Sequence, residues 1–393
     1  MRIVQAVFGV FHHFELAREL ERRGHLERIY STWPWSRLKR EGLPHSKVET
    51  FPWIHMPEYL LARAGVDWPW ASDNLGYRNA LAFDRWMEKR VPACDALIAI
   101  SGAGLATGKR VQERGGLFIC DRGSTHQRYQ ELIVSEEFAR WGAERAVSDE
   151  RDTVREEAIY AEADAITVPS SVAARSFVEM GVPAAKLSVI PYGVRLENFY
   201  PDGELLPHRF DVLFAGAAGL RKGVPYLLQA FARLRYPHKR LRIAGAVLPE
   251  LKAVLQRLPQ EDVEFLGVVS QARLRELMSS SHVLVLPSIE EGLALVQAQA
   301  LACGCPIICS TNTGGEDLFT DEVEGFVVPI RDSAALADRM QLLADNPERL
   351  QRMRQAALAR VQTIGGWAEY GDRWEQLLLK LTGARQTSPP PTK

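Results

Sequence analysis

Short apolar segments rich in β-branched residues alternate with amphipathic segments along almost the whole chain, and no other feature limits the fold as strongly. Short continuous apolar strands separated by helical stretches are typical of a parallel sheet that is covered on both faces. Strands are predicted at 3–8, 96–101, 116–120, 165–170, 210–216, 241–245, 263–267, 283–288, 306–310 and 325–329, and helices at positions such as 224–234 and 271–280. The sequence therefore predicts an α/β protein with two doubly wound, Rossmann-like domains.

The alternation is interrupted near residue 205, where Pro201, Asp202, Gly203 and Pro207 favour a linker. A chain of 393 residues has room for two domains that each bury their own core. We therefore expect a first domain at 1–205 and a second at 206–365. The proline-rich segment 384–393 is predicted to be a disordered tail.

Composition limits the function classes and the compartment. The formal net charge of −1 argues against a nucleic-acid-binding protein, which normally has a strong excess of basic residues. Five scattered cysteines, with neither a leader-like start nor a long apolar run, favour a cytoplasmic chain with reduced thiols. The spacing of Cys303, Cys305 and Cys309 suggests a metal site, but no fourth ligand lies nearby, so we expect these thiols to be packing residues.

Two domains of this kind face each other across a cleft lined by the carboxyl ends of their strands, which is where ligands usually bind. On the second domain's side, the segment GAAGLRKGVPYLL places Arg221 and Lys222 between a strand and a helix. Two cations and the unpaired N–H groups of a helix N-terminus suit a diphosphate, whereas the alternative is a solvated basic turn.

Two adjacent carboxylates, Glu290 and Glu291, follow another strand on the same side of the cleft. Gln299 comes eight residues after Glu291, about two helical turns on, so both can face one bound molecule. Gly314 and Gly315 follow the next strand and allow close backbone approach. Because a carboxylate can accept two hydroxyl hydrogen bonds, the pattern predicts a site for a diphosphate and hydroxylated rings, as in a sugar nucleotide.

With these segments in place, the chain resembles the retaining glycosyltransferases of family 4 (glycosyl transferases group 1), which have the GT-B fold. The resemblance covers nearly the whole chain and rests on 161–201 in the first domain. In the second domain it rests on FAGAAGLRKGVPYLLQAF, on FLGVVSQARLRELMSSSHVLVLPSIEEGLALVQAQALACGCPIICS and on DEVEGFVVPIRD. It also implies that 366–383 form a last helix that crosses back to the first domain.

The resemblance implies roles for individual residues. Glu291 matches the first glutamate of the family's signature, which contacts the transferred sugar, and Gln299 stands where the family has a second glutamate for the ribose. Arg221 and Lys222 match the diphosphate-binding cations, while Ala217 stands where a further arginine is common. His126 matches a histidine in the active-site cleft. The remaining predicted substrate-binding residues are Gly9, His12, His13, Gly216, Glu290 (first interpreted as structural), Gly292, Leu293, Leu295, Val296, Gly314 and Gly315.

The resemblance also implies the chemistry. A sugar is transferred with retention of configuration from a UDP-, GDP- or ADP-linked donor to a glycan, a lipid-linked glycan or a small molecule. The leaving diphosphate takes the acceptor's proton, so that neither a cofactor nor a metal ion is needed. The absence of an Asp-x-Asp motif from the sequence is consistent with metal-independent catalysis.

Three other functions and one surface feature remain open. The glycines after the strand at 96–101 suggest an NAD enzyme, although they depart from the full dinucleotide-binding spacing. A sugar-nucleotide epimerase has a similar fold, and Gln299 together with Ala217 keeps a non-catalytic nucleotide-sugar-binding protein possible. Five tryptophans fall within one stretch of the first domain: Trp33, Trp35, Trp53, Trp68 and Trp70. They suggest either a site for acceptor sugars or peripheral contact with the inner face of a membrane.

Overall fold

The computed structural model of the chain describes residues 1–53, 56, 59, 69–145 and 149–387. Within them, the strands form two separate sheets in which every paired neighbour is parallel. No helix in this described part of the chain is both long and apolar enough to cross a membrane.

The first domain has a seven-stranded sheet in the order β3-β2-β1-β4-β5-β6-β7. Its strands are β1 (Ile3–Val7), β2 (Leu26–Ser31), β3 (Val48–Thr50), β4 (Ala96–Ile100), β5 (Leu117–Asp121), β6 (Ala165–Val168) and β7 (Leu187–Val189). Its helices are α1 (His13–Arg22), α2 (Trp35–Leu38), α3 (Pro69–Glu88), α4 (Leu105–Glu113), α5 (Gln127–Trp141), α6 (Glu150–Glu162) and α7 (Ser171–Glu179).

The second domain repeats the design with a six-stranded sheet in the order β10-β9-β8-β11-β12-β13. Its strands are β8 (Phe210–Ala215), β9 (Lys239–Ala244), β10 (Val263–Gly267), β11 (Val283–Leu286), β12 (Ile307–Ser310) and β13 (Gly325–Val328). Its helices are α8 (Val224–Arg233), α9 (Pro249–Leu255), α10 (Gln271–Ser279), α11 (Val296–Ala302), α12 (Ser333–Asp345) and α13 (Pro347–Val361).

The predicted fold class is confirmed, and each of the ten predicted strands is present. Three strands were missed: β2, in which LERIYS mixes charged and apolar residues, and the three-residue strands β3 and β7 at the two edges of the first sheet. In both sheets the strand order reverses beside the first strand, between β1 and β4 and between β8 and β11. Such reversals open a crevice at the carboxyl ends of the strands, so each domain presents one to the cleft.

The last helix, α14 (Trp367–Thr387), packs against the first domain although it follows the second in sequence. Trp374 is fully buried in the first domain's core, and Arg23 forms an ion pair with Asp372. The helix continues to Thr387, past the predicted end at 383, so residues 384–387 are helical rather than part of a disordered tail. The rest of the predicted tail, 388–393, lies outside the described residues.

Candidate functional site

The turn after β8 carries the two predicted diphosphate-binding cations, Arg221 and Lys222. It ends at Gly223, which has a φ of +67°, and a Cβ there would lie 1.9 Å from the carbonyl oxygen of Pro287. The backbone N–H of Ile289 donates to the carbonyl oxygen of Arg221 at 2.8 Å. The turns after β8 and β11 are therefore joined directly, and this holds the cations beside the two predicted carboxylates.

Each of these cations faces a carboxylate. Lys222 forms an ion pair with Glu291, and a guanidinium nitrogen of Arg221 lies 3.0 Å from Glu290 Oε2. Burial lowers the pKa of Lys222 and the neighbouring Arg221 charge lowers it further, whereas contact with a carboxylate favours the charged ammonium. The turn thus brings two cations and two anions together at the point where a diphosphate is expected.

Glu290 is a buried link between the two domains. Its side chain is fully buried, and it accepts hydrogen bonds from Ser124 Oγ at 2.7 Å, Thr125 Oγ1 at 2.7 Å and Gln130 Nε2 at 2.8 Å, all in the first domain. Although burial raises the pKa of this carboxyl, the Arg221 charge and the three hydrogen bonds hold it below its usual value. An ionised carboxylate at this position links the two domains across the cleft.

The other end of α5 is also attached to the second domain. Glu137 is fully buried and accepts from Arg331 Nε at 2.7 Å, and the rings of Trp141 and Tyr226 meet edge to face with centroids 5.7 Å apart. Arg257 donates to the Trp141 carbonyl oxygen at 2.8 Å. Helix α5 therefore bridges the cleft, with its first turn near the candidate site and its last turn on the second domain's surface.

The first domain's rim is built around Asp121, the last residue of β5. Its Oδ2 lies 2.7 Å from His12 Nε2 and 3.4 Å from His13 Nε2, and its Oδ1 accepts from Thr167 Oγ1 at 2.8 Å. Burial raises the pKa of this carboxyl, but the two histidines and Thr167 bring it below its usual value. Burial also lowers the pKa of His13 to about 3, so this ring is neutral.

His12 is the histidine of this group that reaches the cleft. Its Cε1 would lie 3.5 Å from a Cβ on Gly123, while a Cβ on Gly292 would lie 2.2 Å from the Gly123 carbonyl oxygen. His12 and the turn at Glu291 therefore both lie next to Gly123. Ligand atoms of His12, His13 and Asp121 all lie within 4.8 Å of one another, a spacing that a metal ion could bridge.

The loop from Asp121 to Thr125 supplies two of the hydrogen bonds to Glu290, from Ser124 and Thr125, and apart from His126 the sequence did not identify this region. Arg122 is its hub and contacts Ser101 Oγ at 3.0 Å, Glu156 at 3.0 Å and Gln130 Oε1 at 2.9 Å. The pattern that could have identified this loop is CDRGST, in which two charged and two hydroxyl residues stand at the end of a predicted buried strand.

His126 points away from the residues on either side of the cleft. Its ring packs against Tyr160 and Phe177, with centroids 4.9 Å and 5.0 Å away, and its Nδ1 accepts from the backbone N–H of Arg128 at 3.2 Å. Burial lowers the pKa of His126 to about 4. Capping α5 turns this ring toward α6 and α7, so the residues that the structure brings to the first domain's rim are Asp121, Ser124 and Thr125 instead.

The predicted glycines fall into two groups. Gly9 has a φ of +76° and a Cβ there would lie 2.7 Å from Trp33 Nε1, while Gly216 has a φ of +146° directly after β8. Cβ atoms on Gly314 and Gly315 would instead meet protein, 2.8 Å from Leu293 Cδ1 and 2.6 Å from Cys309 Sγ respectively. These last two glycines allow close packing of protein segments rather than approach of a ligand.

The remaining predicted residues lie at the start of α11. Leu293 is buried, Leu295 and Val296 are half-buried, and the half-exposed Gln299 side chain forms no hydrogen bond with any described residue. Gln299 therefore remains available to a ligand beside Glu291.

One region of the chain matches a known protein family. Residues 201–360 match the family model described as Glycosyl transferases group 1. The matched region contains Arg221, Lys222 and the Glu290–Glu291 turn, so the charged residues described above lie within it.

Relatives and solved structures extend the similarity beyond this domain. The D-inositol 3-phosphate glycosyltransferase of Xylanimonas cellulosilytica is 30% identical over 239 residues, which are 55% of this chain and 57% of that protein. The protein of the same name from Streptomyces griseus is 27% identical over 378 residues, 87% of this chain and 73% of that protein. The chain thus spans little more than half of the length of the first of these relatives.

Among solved structures, sucrose-phosphate synthase from Thermosynechococcus elongatus superimposes with a TM-score of 0.70 at 20% identity, covering 98% of this chain and 100% of that one. Anabaena HepE in complex with UDP gives a TM-score of 0.68 at 15% identity, covering 97% and 100%. These similarities show that the fold is GT-B.

Proposed function

We propose that the protein is a retaining, metal-independent glycosyltransferase that transfers a sugar from a nucleoside diphosphate to a hydroxyl acceptor. The observation that carries this proposal is the pairing of Arg221 and Lys222 with Glu290 and Glu291 in two joined turns of the region that matches glycosyl transferases group 1. The pairing supplies cations for a diphosphate directly beside carboxylates for sugar hydroxyls.

When a diphosphate binds, the cations of this site exchange their carboxylate partners for phosphate oxygens. The phosphate oxygens take over the guanidinium of Arg221 and the ammonium of Lys222, and Glu291 is released to accept hydroxyl hydrogen bonds from the transferred sugar. Gln299 accepts from the nucleotide ribose. As the bond between the anomeric carbon and the phosphate oxygen breaks, the two cations stabilise the negative charge that develops on the diphosphate.

In the proposed retaining reaction the acceptor's oxygen forms the new bond on the face that the diphosphate leaves, and its proton passes to the departing phosphate. The described residues that frame this position from the first domain are His12, held by Asp121, and Gly123. Closure of the cleft through Glu290 keeps water away from the activated sugar.

We place UDP first among the candidate nucleotides because neighbours of the same fold were solved with UDP and UDP-glucose. GDP- and ADP-linked donors are the alternatives.

The reaction is assigned to the cytoplasm, in keeping with five free and buried cysteines. For a lipid-linked acceptor, Trp53, which is 74% exposed, is the candidate contact with a membrane surface, whereas Trp33 is buried in the core. Trp68 lies outside the described residues.

The proposal is tested by incubating the full chain with UDP-, GDP- and ADP-glucose and following release of the nucleoside diphosphate with and without EDTA. We expect one donor to be consumed at a rate that EDTA leaves unchanged, and NMR of the product to show the donor's anomeric configuration. Loss of turnover in EDTA would reject metal independence and draw attention to His12, His13 and Asp121. An inverted product would reject retention.

One observation favours a non-catalytic alternative. Gln299 replaces a carboxylate that would bind the ribose, and charge-assisted hydrogen bonds are roughly twice as strong as neutral ones. A chain that binds the nucleotide sugar but transfers nothing would show nucleotide binding without consumption of any donor in the same assay.

A further inference from the structure

The first domain's rim carries an exposed aromatic residue in a strained backbone conformation. Phe11, in the loop between β1 and α1, has a φ of +41°, which a bulky residue rarely adopts, and it is 63% exposed. The loop is fixed on both sides of it, because the backbone N–H of Gly9 donates to Thr32 Oγ1 at 3.0 Å and the His12 ring contacts Asp121 at 2.7 Å. Residues held in such conformations cluster at ligand-binding sites, so Phe11 is a candidate ligand contact beside His12.

Trp33 lies next to the same loop, just after the carboxyl end of β2. A Cβ on Gly9 would lie 2.7 Å from Trp33 Nε1 and 3.9 Å from Phe11 Cε2, so both aromatic side chains are neighbours of Gly9. The guanidinium carbon of Arg37 lies 3.6 Å from the centre of the Trp33 ring, which is a cation–π contact. Arg37 is therefore held against an aromatic face on the rim that also carries Phe11.

Arg37 forms no hydrogen bond or ion pair with any residue that the structure describes. The carboxylate four residues further on, Glu41, instead contacts Arg18 and Arg40. Five other arginines in the described part of the chain stack on an aromatic ring, and each of them also has a hydrogen bond or an ion pair: Arg90, Arg151, Arg275, Arg339 and Arg349. Of these stacked arginines, Arg37 is the one that remains available to an anion.

The chemistry of these two side chains limits what the ligand can be. A guanidinium that stacks on a ring through its face keeps its N–H groups at the edge of its plane, where they can donate two parallel hydrogen bonds to a phosphate or a carboxylate. The planar group is also preorganised, so little side-chain freedom is lost when an anion binds. An exposed aromatic ring such as that of Phe11 instead suits the apolar face of a sugar ring. The pair therefore favours a ligand that has both a ring and an anionic group.

From these observations we propose that Phe11 and Arg37 bind the acceptor, and that the acceptor carries an anionic group, a phosphate or a carboxylate, which Arg37 binds while the acceptor's ring stacks on Phe11. This inference rests on the proposed glycosyltransferase function and specifies the acceptor class of the same cleft. Phe11 directly precedes His12, which with Gly123 frames the position of the reacting hydroxyl. The proposed contacts therefore lie beside the reaction and on the opposite domain from the diphosphate-binding cations.

The test is a saturation-transfer NMR titration of the full chain in the presence of UDP. The probes are glucose 6-phosphate, glucuronate and the neutral methyl α-glucoside. At least one anionic probe is expected to bind about tenfold more tightly than methyl α-glucoside, and the stronger of the two identifies the anion as phosphate or carboxylate. Arg37→Gln should remove this advantage without changing the affinity for the neutral probe, because only a charge-assisted contact is lost. Arg37→Lys keeps the charge but not the planar group, so it should restore part of the advantage.

Two further variants separate the ring contact from the charge. Phe11→Ala should weaken the binding of charged and neutral probes alike by about threefold to tenfold, because stacking does not depend on the probe's charge. Arg275→Gln is the matched control for Arg37→Gln, since Arg275 also stacks on a ring, that of Tyr200, but lies in the second domain and pairs with Asp202. It should leave the affinity for every probe unchanged.

Several results would overturn the inference: anionic probes that bind no better than methyl α-glucoside, an advantage that Arg37→Gln leaves intact, or no binding of any probe by a wild-type chain that binds UDP. Sedimentation with phosphatidylglycerol vesicles, without binding of the anionic probes, would assign Arg37 to a membrane surface and overturn it as well. Calorimetric titration of the same samples with UDP keeps the two proposals separate. Failure to bind UDP counts against the donor site, whereas failure to bind the anionic probes while UDP binds counts against Phe11 and Arg37.

Discussion

The two sides of the cleft hold their charges in different ways. On the second domain, Arg221 and Lys222 have side chains that are 38% and 19% exposed, and they pair with carboxylates from the next turn of the same domain. On the first domain, Asp121 is 3% exposed and is contacted by His12 and His13 at the start of α1 and by Thr167 in β6. The first arrangement can exchange partners with an incoming anion, whereas the second is a fixed frame.

Glu290 links the two sides of the cleft, since it pairs with Arg221 and contacts the first domain, and its removal is expected to have the largest effect. Glu290→Ala leaves Arg221 without its buried partner and leaves Ser124, Thr125 and Gln130 without an acceptor. We expect the free energy of unfolding to fall by about 3–5 kcal/mol, because three hydrogen-bond donors in the first domain lose a buried, charged acceptor. Guanidinium unfolding measures this change.

Glu136→Ala is the matched control for this substitution. Glu136 also binds arginines, Arg140 and Arg331, but its side chain is 50% exposed, and exposed pairs contribute little. If Glu290→Ala costs no more stability than Glu136→Ala, the buried link between the domains is not what closes the cleft.

An effect of intermediate size is expected on the pH dependence of the free energy of unfolding, through His13 beside Asp121. Burial lowers the pKa of His13 from 6.5 to about 3, so between these values the unfolded chain binds a proton that the folded chain does not. The free energy of unfolding should therefore decrease as the pH falls below 6.5, by about 1.4 kcal/mol per pH unit for this histidine. Denaturant unfolding at pH 7, 6, 5 and 4 measures the slope.

His13→Gln should flatten this slope by the contribution of one proton, because glutamine does not titrate. His238→Gln, at an exposed position, serves as the control and should keep the wild-type slope. If the free energy of unfolding has the same slope against pH in wild type and His13→Gln, the His13 ring does not contribute to the loss of stability in acid.

The smallest expected effect is on the UDP affinity of the second domain's side of the cleft. Gln299→Glu restores the carboxylate of the family's signature at a half-exposed position beside Glu291. We expect UDP affinity to rise roughly threefold to tenfold, because the ribose hydroxyls would then donate to a charged acceptor. Gln271→Glu, at the exposed start of α10, adds the same charge elsewhere and should leave affinity unchanged in the same calorimetric titration. Equal affinity in all three proteins would remove Gln299 from the ribose site.

The difference between the two sides also explains what the sequence could predict. The strand–helix alternation was sufficient for all six strands of the second sheet and four of the seven described strands of the first, because it depends on residues close in sequence. The segments that carry Arg221, Lys222, Glu290 and Glu291 were selected for the same reason, since each segment follows a predicted strand in a local motif. Their role in binding a donor stays a prediction.

The first domain's rim depends on contacts that no local pattern encodes. His12 meets Asp121 across 109 residues, and Thr125 meets Glu290 across 165. The sequence analysis selected His126, at the end of the loop that contacts Glu290. That ring turns back to cap α5, while the shorter side chains of Ser124 and Thr125 reach the cleft. Likewise, Gly314 and Gly315 were assigned to a ligand, although the atoms that fill their surroundings belong to Leu293 and Cys309.

The most direct test of the account is calorimetric titration of the wild-type chain, Lys222→Ala and the exposed control Lys252→Ala with UDP, GDP, ADP and NAD, each with and without EDTA. One nucleoside diphosphate should bind wild type and Lys252→Ala equally well, with no effect of EDTA, and should bind Lys222→Ala at least about tenfold more weakly because a charge-assisted contact is lost. Equal binding by Lys222→Ala, or binding of NAD alone, would contradict the assignment of this turn as the diphosphate site.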